Sequence, residues 1–98
     1  MIYGTNILYK WSDRAGVMQV VETADGYVTR VYPFEKELHS MVWYDAIVLC
    51  DCLFGKALFD TMDDLLASVA AKGGEPSECS YAYGVNRDAG RYIFIPLK

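Results

Sequence analysis

Cys50-Asp51-Cys52 is the first stretch whose residue types and spacing suggest chemistry. Two cysteines one residue apart point to the same side of a strand, where both could reach one zinc ion. Cys79 and His39 are the further ligands on offer. The interval is one residue short of the common zinc knuckle, and the remaining ligands are scattered along the chain. The same interval fails the two-residue spacing of a redox pair, and no helix clearly begins there. The cysteines therefore read as small apolar core residues of a reducing compartment, with no metal and no cofactor.

His39 beside Ser40 invites a nucleophile–base reading. Adjacent residues in a regular element do not present their side chains to one another, and a catalytic triad is defined by spatial geometry. Gly73-Gly74 follows a helical stretch, whereas a phosphate-cradling loop precedes one. No catalytic residue is expected, and a cysteine- or metal-dependent enzyme ranks third among the functional readings.

The aromatic residues are more informative. The chain has fourteen, and Tyr3, Tyr9, Trp11, Tyr27, Tyr32, Tyr81, Tyr83, Tyr92 and Phe94 all fall in expected strands or at their ends. In the last strand Ile93 and Ile95 face one way and Tyr92 and Phe94 the other, so both sheet faces are apolar. One helix covers only one of them. A tyrosine-rich open face suits a protein interface, because the ring adds apolar area and the hydroxyl a polar tip. The candidate binding residues are Tyr81, Tyr83, Tyr92 and Phe94, with at least one of Tyr83 and Tyr92 facing outward. Asp60, Asp63 and Asp64 would help to orient the partner.

The elements that position these residues begin with a helix inside the stretch from Leu58 to Gly74. At 100° per residue, Leu58, Phe59, Met62, Leu65, Leu66, Val69 and Ala70 fall within roughly 140° of arc, with Asp60, Asp63 and Asp64 opposite. Asp60 or Thr61 can cap the first turn, Gly73 can close the last, and Pro76 prevents resumption. The helix is expected at about residues 60–72.

Strands surround it. Ile7, Tyr9 and Trp11 alternate with Leu8 and Lys10, and Ser12 to Gly16 is a connection of hairpin length. Val17 to Thr23 and Tyr27 to Tyr32 flank Asp25-Gly26, a strong hairpin signal. Centring the turn there sets Val20 opposite Val31, Val21 opposite Arg30 and Glu22 opposite Thr29. Pro33 ends this three-strand meander, and Phe34 to His39 reads as a short helical turn. Met41 to Phe54 is apolar on every face. Periodicity there does not choose between a buried helix and a buried strand; Asp45 would sit on the buried side of a helix, which favours a central strand over Ala46 to Cys52. Tyr81 to Val85 and Arg91 to Pro96 form a C-terminal hairpin around a five-residue connection, residues 86–90, with Pro96 suggesting an edge.

Ninety-eight residues make a single domain spanning 1–98, and a net charge of −4 argues against direct nucleic acid binding. Asp45, Asp51 and Lys56 interrupt the long apolar stretch, which argues against a membrane span. Met1-Ile2-Tyr3-Gly4 lacks the basic start and long apolar run of a secretory signal, so a cytoplasmic protein is expected.

The expected fold is α+β: an antiparallel sheet of five or six strands with one helix on one face. The leading function is a small acidic non-enzymatic protein that occupies a surface of a protein partner. An inhibitor, an immunity-type protein or a phage or mobile-element accessory protein fits, and a homodimer is a further partner state. The second reading is a small-ligand sensing or sequestering domain, its pocket lined by Tyr and Trp between helix and sheet.

Overall fold

The computed structural model describes residues 1–37, 40–75, 77 and 79–98. Its strands are β1 (Ile2–Lys10), β2 (Asp13–Ala24), β3 (Tyr27–Pro33), β4 (Val42–Cys50), β5 (Ala57–Phe59), β6 (Tyr81–Asp88) and β7 (Arg91–Pro96). The helix is α1 (Met62–Ala70). The class is α+β, but the sheet has seven strands in the order β3-β2-β1-β4-β6-β7-β5. It is also mixed, since β1 and β4 run parallel and every other pair runs antiparallel.

The N-terminal meander forms as its turn chemistry requires. Asp25 and Gly26 both take positive φ (52° and 84°), the pattern of a two-residue turn that matches strand twist. Next to the turn the register is the expected one, with Ala24 opposite Tyr27 and Thr23 opposite Val28. Beyond it a bulge takes up Thr29 as an extra residue on β3. Val20 then pairs with Tyr32, Val21 with Val31 and Glu22 with Arg30, each one residue off the expected partner. The Thr29 hydroxyl donates to the Glu22 carbonyl at 3.1 Å, and Arg30 meets the Glu22 carboxylate at 3.7 Å.

Two other expectations change. No helix forms over residues 34–37; Leu38 and His39 lie outside the described residues. The C-terminal hairpin turns at Ala89-Gly90 rather than over 86–90, because Asn86, Arg87 and Asp88 continue β6 opposite Ile93, Tyr92 and Arg91. β7 is not the sheet edge, since β5 pairs beyond it through Phe59 and Tyr92.

β4 is the central strand. Ala46 to Cys50 is buried without interruption, with β1 on one side and β6 on the other. Such a strand has no polar face and reads as a continuous apolar run. Its parallel pairing with β1 needs a connection that crosses the sheet, and that connection is held at both ends. Phe34 N–H donates to the Met18 carbonyl, and the Phe34 ring meets Trp43 edge-on at 5.2 Å. Met41 and Trp43 press onto Gly4, where an added Cβ would lie 2.3 Å from the Trp43 ring.

Two clusters fill the interior. On one face α1 places Leu65 and Val69 against Val48, Cys50, Tyr83, Val85 and Phe94. The helix is shorter than expected. Leu58 and Phe59 belong to β5, and Thr61 is the N-cap, its hydroxyl accepting from Asp64 N–H at 3.0 Å. Asp60, Asp63 and Asp64 are exposed as expected, and Gly73 takes the left-handed position. The opposite face is covered by the sheet itself. Val28 packs with Tyr3, Val21, Ile47, Leu49, Ala82 and Leu97, and Val28 N–H donates to the Ser80 carbonyl at 2.8 Å. Strand β3, four places from β6 in the sheet order, thus curls back to meet it.

Leu65 is completely buried, so Leu65→Asp places an unpaired carboxylate in the core and should abolish the cooperative transition. Asp64→Ala, on the exposed side, should change stability by no more than about 0.5 kcal/mol. Circular dichroism melting of the pair checks this, and equal effects would contradict the packing of α1.

Candidate functional site

The hairpin aromatics expected to form one binding face are divided by the fold. Tyr83 and Phe94, each about 1% exposed, stack in the core with centroids 4.7 Å apart and planes 7° from parallel. The Tyr83 hydroxyl donates to the Cys52 carbonyl and accepts from Phe54 N–H, both at 2.8 Å. It pins residues 52–54 onto the sheet, so neither it nor Phe94 is presented to a partner. The expectation that Tyr83 or Tyr92 faces outward is met only in part. Tyr92 is half-buried, with the Arg87 guanidinium 5.8 Å from its ring centre.

Tyr92 lines a small hollow of about 180 Å³ beside the start of α1, with Met62, Ile7, Tyr9 and Val85. Asp45 stands in its wall, where its carboxylate accepts from Arg87 N–H at 3.1 Å. Asp60 is engaged with Arg91 at 3.4 Å. Asp63 and Asp64 are in no ion pair among the described residues.

Tyr81 faces a different region, the seam where the curled sheet closes. Its ring centre lies 5.4 Å from that of Tyr27, with planes 33° apart. The Tyr81 phenol is pushed above its ordinary value, first by its hydrogen bond with Tyr27 and then by that neighbour's charge, burial and Asp51. A hollow of about 320 Å³ opens here, lined by Asp25, Tyr27, Leu53, Tyr81, Pro96 and Leu97 among others. It shares Asp25, Gly26 and Leu97 with a second hollow of about 430 Å³. Leu53 is 77% exposed and Tyr27 54%. Two of the large apolar side chains that the fold leaves most open therefore border one concavity.

Sequence reasoning reached Tyr81 but not Tyr27 as a binding residue, and it missed Leu53. Tyr27 follows directly on the Asp25-Gly26 turn, which carries it to the mouth of the curl. Leu53 sits on the connection after Cys50, where the apolar run outlasts the strand. That overrun was the available signal, since an apolar residue beyond a buried strand has no core to enter.

No group of three or more His, Cys, Asp or Glu side chains able to hold an ion occurs among the described residues, which leave out His39. Cys50 is buried and its thiol lies 3.5 Å from the Cys52 carbonyl. Burial, as the largest cause, pushes the Cys50 thiol from 9.0 up to about 11. Among the described residues no helix is long and apolar enough to cross a membrane. Comparison with protein-family descriptions, curated proteins and solved structures returned no match.

Two outcomes follow from the buried groups. Tyr83→Phe leaves Phe54 N–H and the Cys52 carbonyl without their partner, and denaturant unfolding should register a loss of about 1–3 kcal/mol. Cys50, with its folded value raised, stabilises the protein fully below the ordinary thiol value and loses that contribution as pH rises from 9.0 to about 11. The buried or hydrogen-bonded Cys79, Tyr81 and Tyr83 shift in the same direction. The melting temperature should therefore fall across this window, and fall less steeply in Cys50→Ala.

Proposed function

We propose that this protein is a small non-enzymatic binding protein that acts by occupying a surface of a protein partner, in the manner of an inhibitor, an immunity-type protein or a phage or mobile-element accessory protein. The observation that supports this best is the seam hollow. Monomeric proteins rarely leave large apolar side chains gathered around a concavity unless something covers it, and Leu53 and Tyr27 stand open at this one. The interface is thus moved from the aromatic side of the C-terminal hairpin to the end of the sheet where Tyr81 meets Tyr27. The acidic surface, net −4, favours encounter with a basic partner. We place the protein in the cytoplasm and expect neither membrane nor nucleic acid to be its target.

The ligand-sequestering reading ranks second. The hollow between α1 and the sheet holds about 180 Å³, below the ~300 Å³ at which small-molecule pockets usually begin.

The deciding experiment is co-purification from the native host, with the partner identified and its affinity measured on the purified pair. Leu53→Asp should weaken that affinity at least about tenfold with circular dichroism unchanged, as for a residue at an interface centre, and Tyr27→Ala should weaken it as much with the fold kept at a lower melting temperature, since its ring also joins β3 to β6. Tyr92→Ala and His39→Ala should leave it intact. Full affinity in both seam variants would refute the assignment of this surface, and an activity lost in His39→Ala with folding preserved would revive the enzymatic reading.

A further inference from the structure

The seam hollow has a chemistry more particular than apolar docking requires. Its two tyrosine rings, 5.4 Å apart, offer electron-rich faces, and Asp25 is the one acidic or basic side chain among its lining residues. A second carboxylate, Asp51, is exposed two residues before Leu53, outside the hollow's lining, and its charge reaches the Tyr81 phenol. Neither Asp25 nor Asp51 is in an ion pair among the described residues, whose two ion pairs are Arg30–Glu22 and Arg91–Asp60. Three of the chain's own cations lie over other rings: Arg30 over Tyr32, Lys72 over Phe54 and Arg87 over Tyr92. Among the described residues no cation lies over Tyr27 or Tyr81. Lys98 borders the adjoining hollow rather than this one.

We propose that the seam hollow receives an arginine side chain of the partner protein, its guanidinium against the rings of Tyr27 and Tyr81 and its charge met by Asp25 and Asp51. Arginine suits the site better than lysine. Its planar, weakly hydrated head stacks on aromatic rings while its N–H fork donates to a carboxylate. Its aliphatic stem would lie along Leu53 and Pro96, which explains why apolar and acidic residues share one rim. This deepens the proposed function and rests on it.

The probe is N-acetyl-arginine N-methylamide, titrated against the whole protein and followed by NMR at the Tyr27 and Tyr81 ring protons. N-acetyl-citrulline N-methylamide, of nearly the same shape but uncharged, is the control. Arginine should give saturable shifts at those rings at millimolar concentration, and citrulline should bind at least about fivefold more weakly. The double variant Asp25→Asn, Asp51→Asn should bring arginine down to the citrulline level. Asparagine tolerates the positive φ of position 25, so this variant keeps the turn. Tyr92→Ala should have no effect.

Equal binding of the two probes, shifts centred on the acidic start of α1, a silent double variant or no shift at all would each overturn the inference. The underlying reading fails separately. If Leu53→Asp and Tyr27→Ala release the partner while arginine leaves the rings unmoved, the interface stands without its arginine. If arginine binds at the rings while those variants hold the partner fully, the interface assignment falls.

Discussion

Burial of β4 on both faces is the constraint from which the rest of the structure follows. A strand with no polar side can be placed only between two others and beneath two layers. Ala46 to Cys50 satisfies this with β1 and β6 as neighbours, α1 packed on one face and the curled meander on the other. The parallel pairing with β1 is part of the same solution. Had β4 continued the meander beside β3, its apolar run would have lain next to an exposed, bulged strand. Crossing back to β1 brings it to the middle, and Gly4 leaves room for the Met41 and Trp43 side chains where the chain re-enters the sheet.

The edges are blunted rather than paired. Pro33 ends β3 and has no N–H to donate, the Thr29 bulge interrupts its line, and Val28 gives its N–H to Ser80. At the far side β5 is only three residues long. Neither edge offers the long flat ladder that strand addition uses, so recognition by side chains at the end of the sheet is the more consistent mode for this fold. A partner would meet Leu53 and the tyrosine pair before it met free backbone.

Much of the fold could be read from local chemistry, and the errors share a cause. The Asp25-Gly26 turn, the helix cap at Thr61, the acidic exposed face of α1 and the strand character of 46–50 are each set by residues close in sequence. What failed depends on residues far apart. The pairing of β1 with β4 joins segments 39 residues apart in register, Tyr3 with Val42, and no turn between them announces it. Thr29 as a bulge shifts the β2–β3 register because a side-chain bond to Glu22 competes with the regular ladder. The helix α1 begins at Met62 rather than about residue 60, and Leu58 and Phe59, expected in its apolar arc, found a partner strand in β7 instead. For the site, alternation placed Tyr81, Tyr83, Tyr92 and Phe94 on one hairpin. It could not say that the loop carrying Cys52 and Phe54 would fold onto Tyr83, nor that the sheet would curl until Tyr27 touched Tyr81.

Tyr27 and Leu53 border the same hollow but stand in different relation to the fold. The Tyr27 ring lies against Tyr81 at the join where β3 returns to β6, beside the Val28–Ser80 hydrogen bond. It helps to close the curl, and behind that closure lies the cluster of Tyr3, Val21, Ile47 and Leu49. Leu53 is 77% exposed, so little of the folded state's apolar burial depends on it. A change at Tyr27 therefore alters both the surface and the join that shapes it, whereas a change at Leu53 alters the surface alone. The same asymmetry bears on how an occupant would act. A side chain bound against both Tyr27 and Tyr81 would bridge β3 and β6, so binding there would stabilise the curled sheet by mass action, and the two tyrosines proposed to receive it also join the sheet's open end.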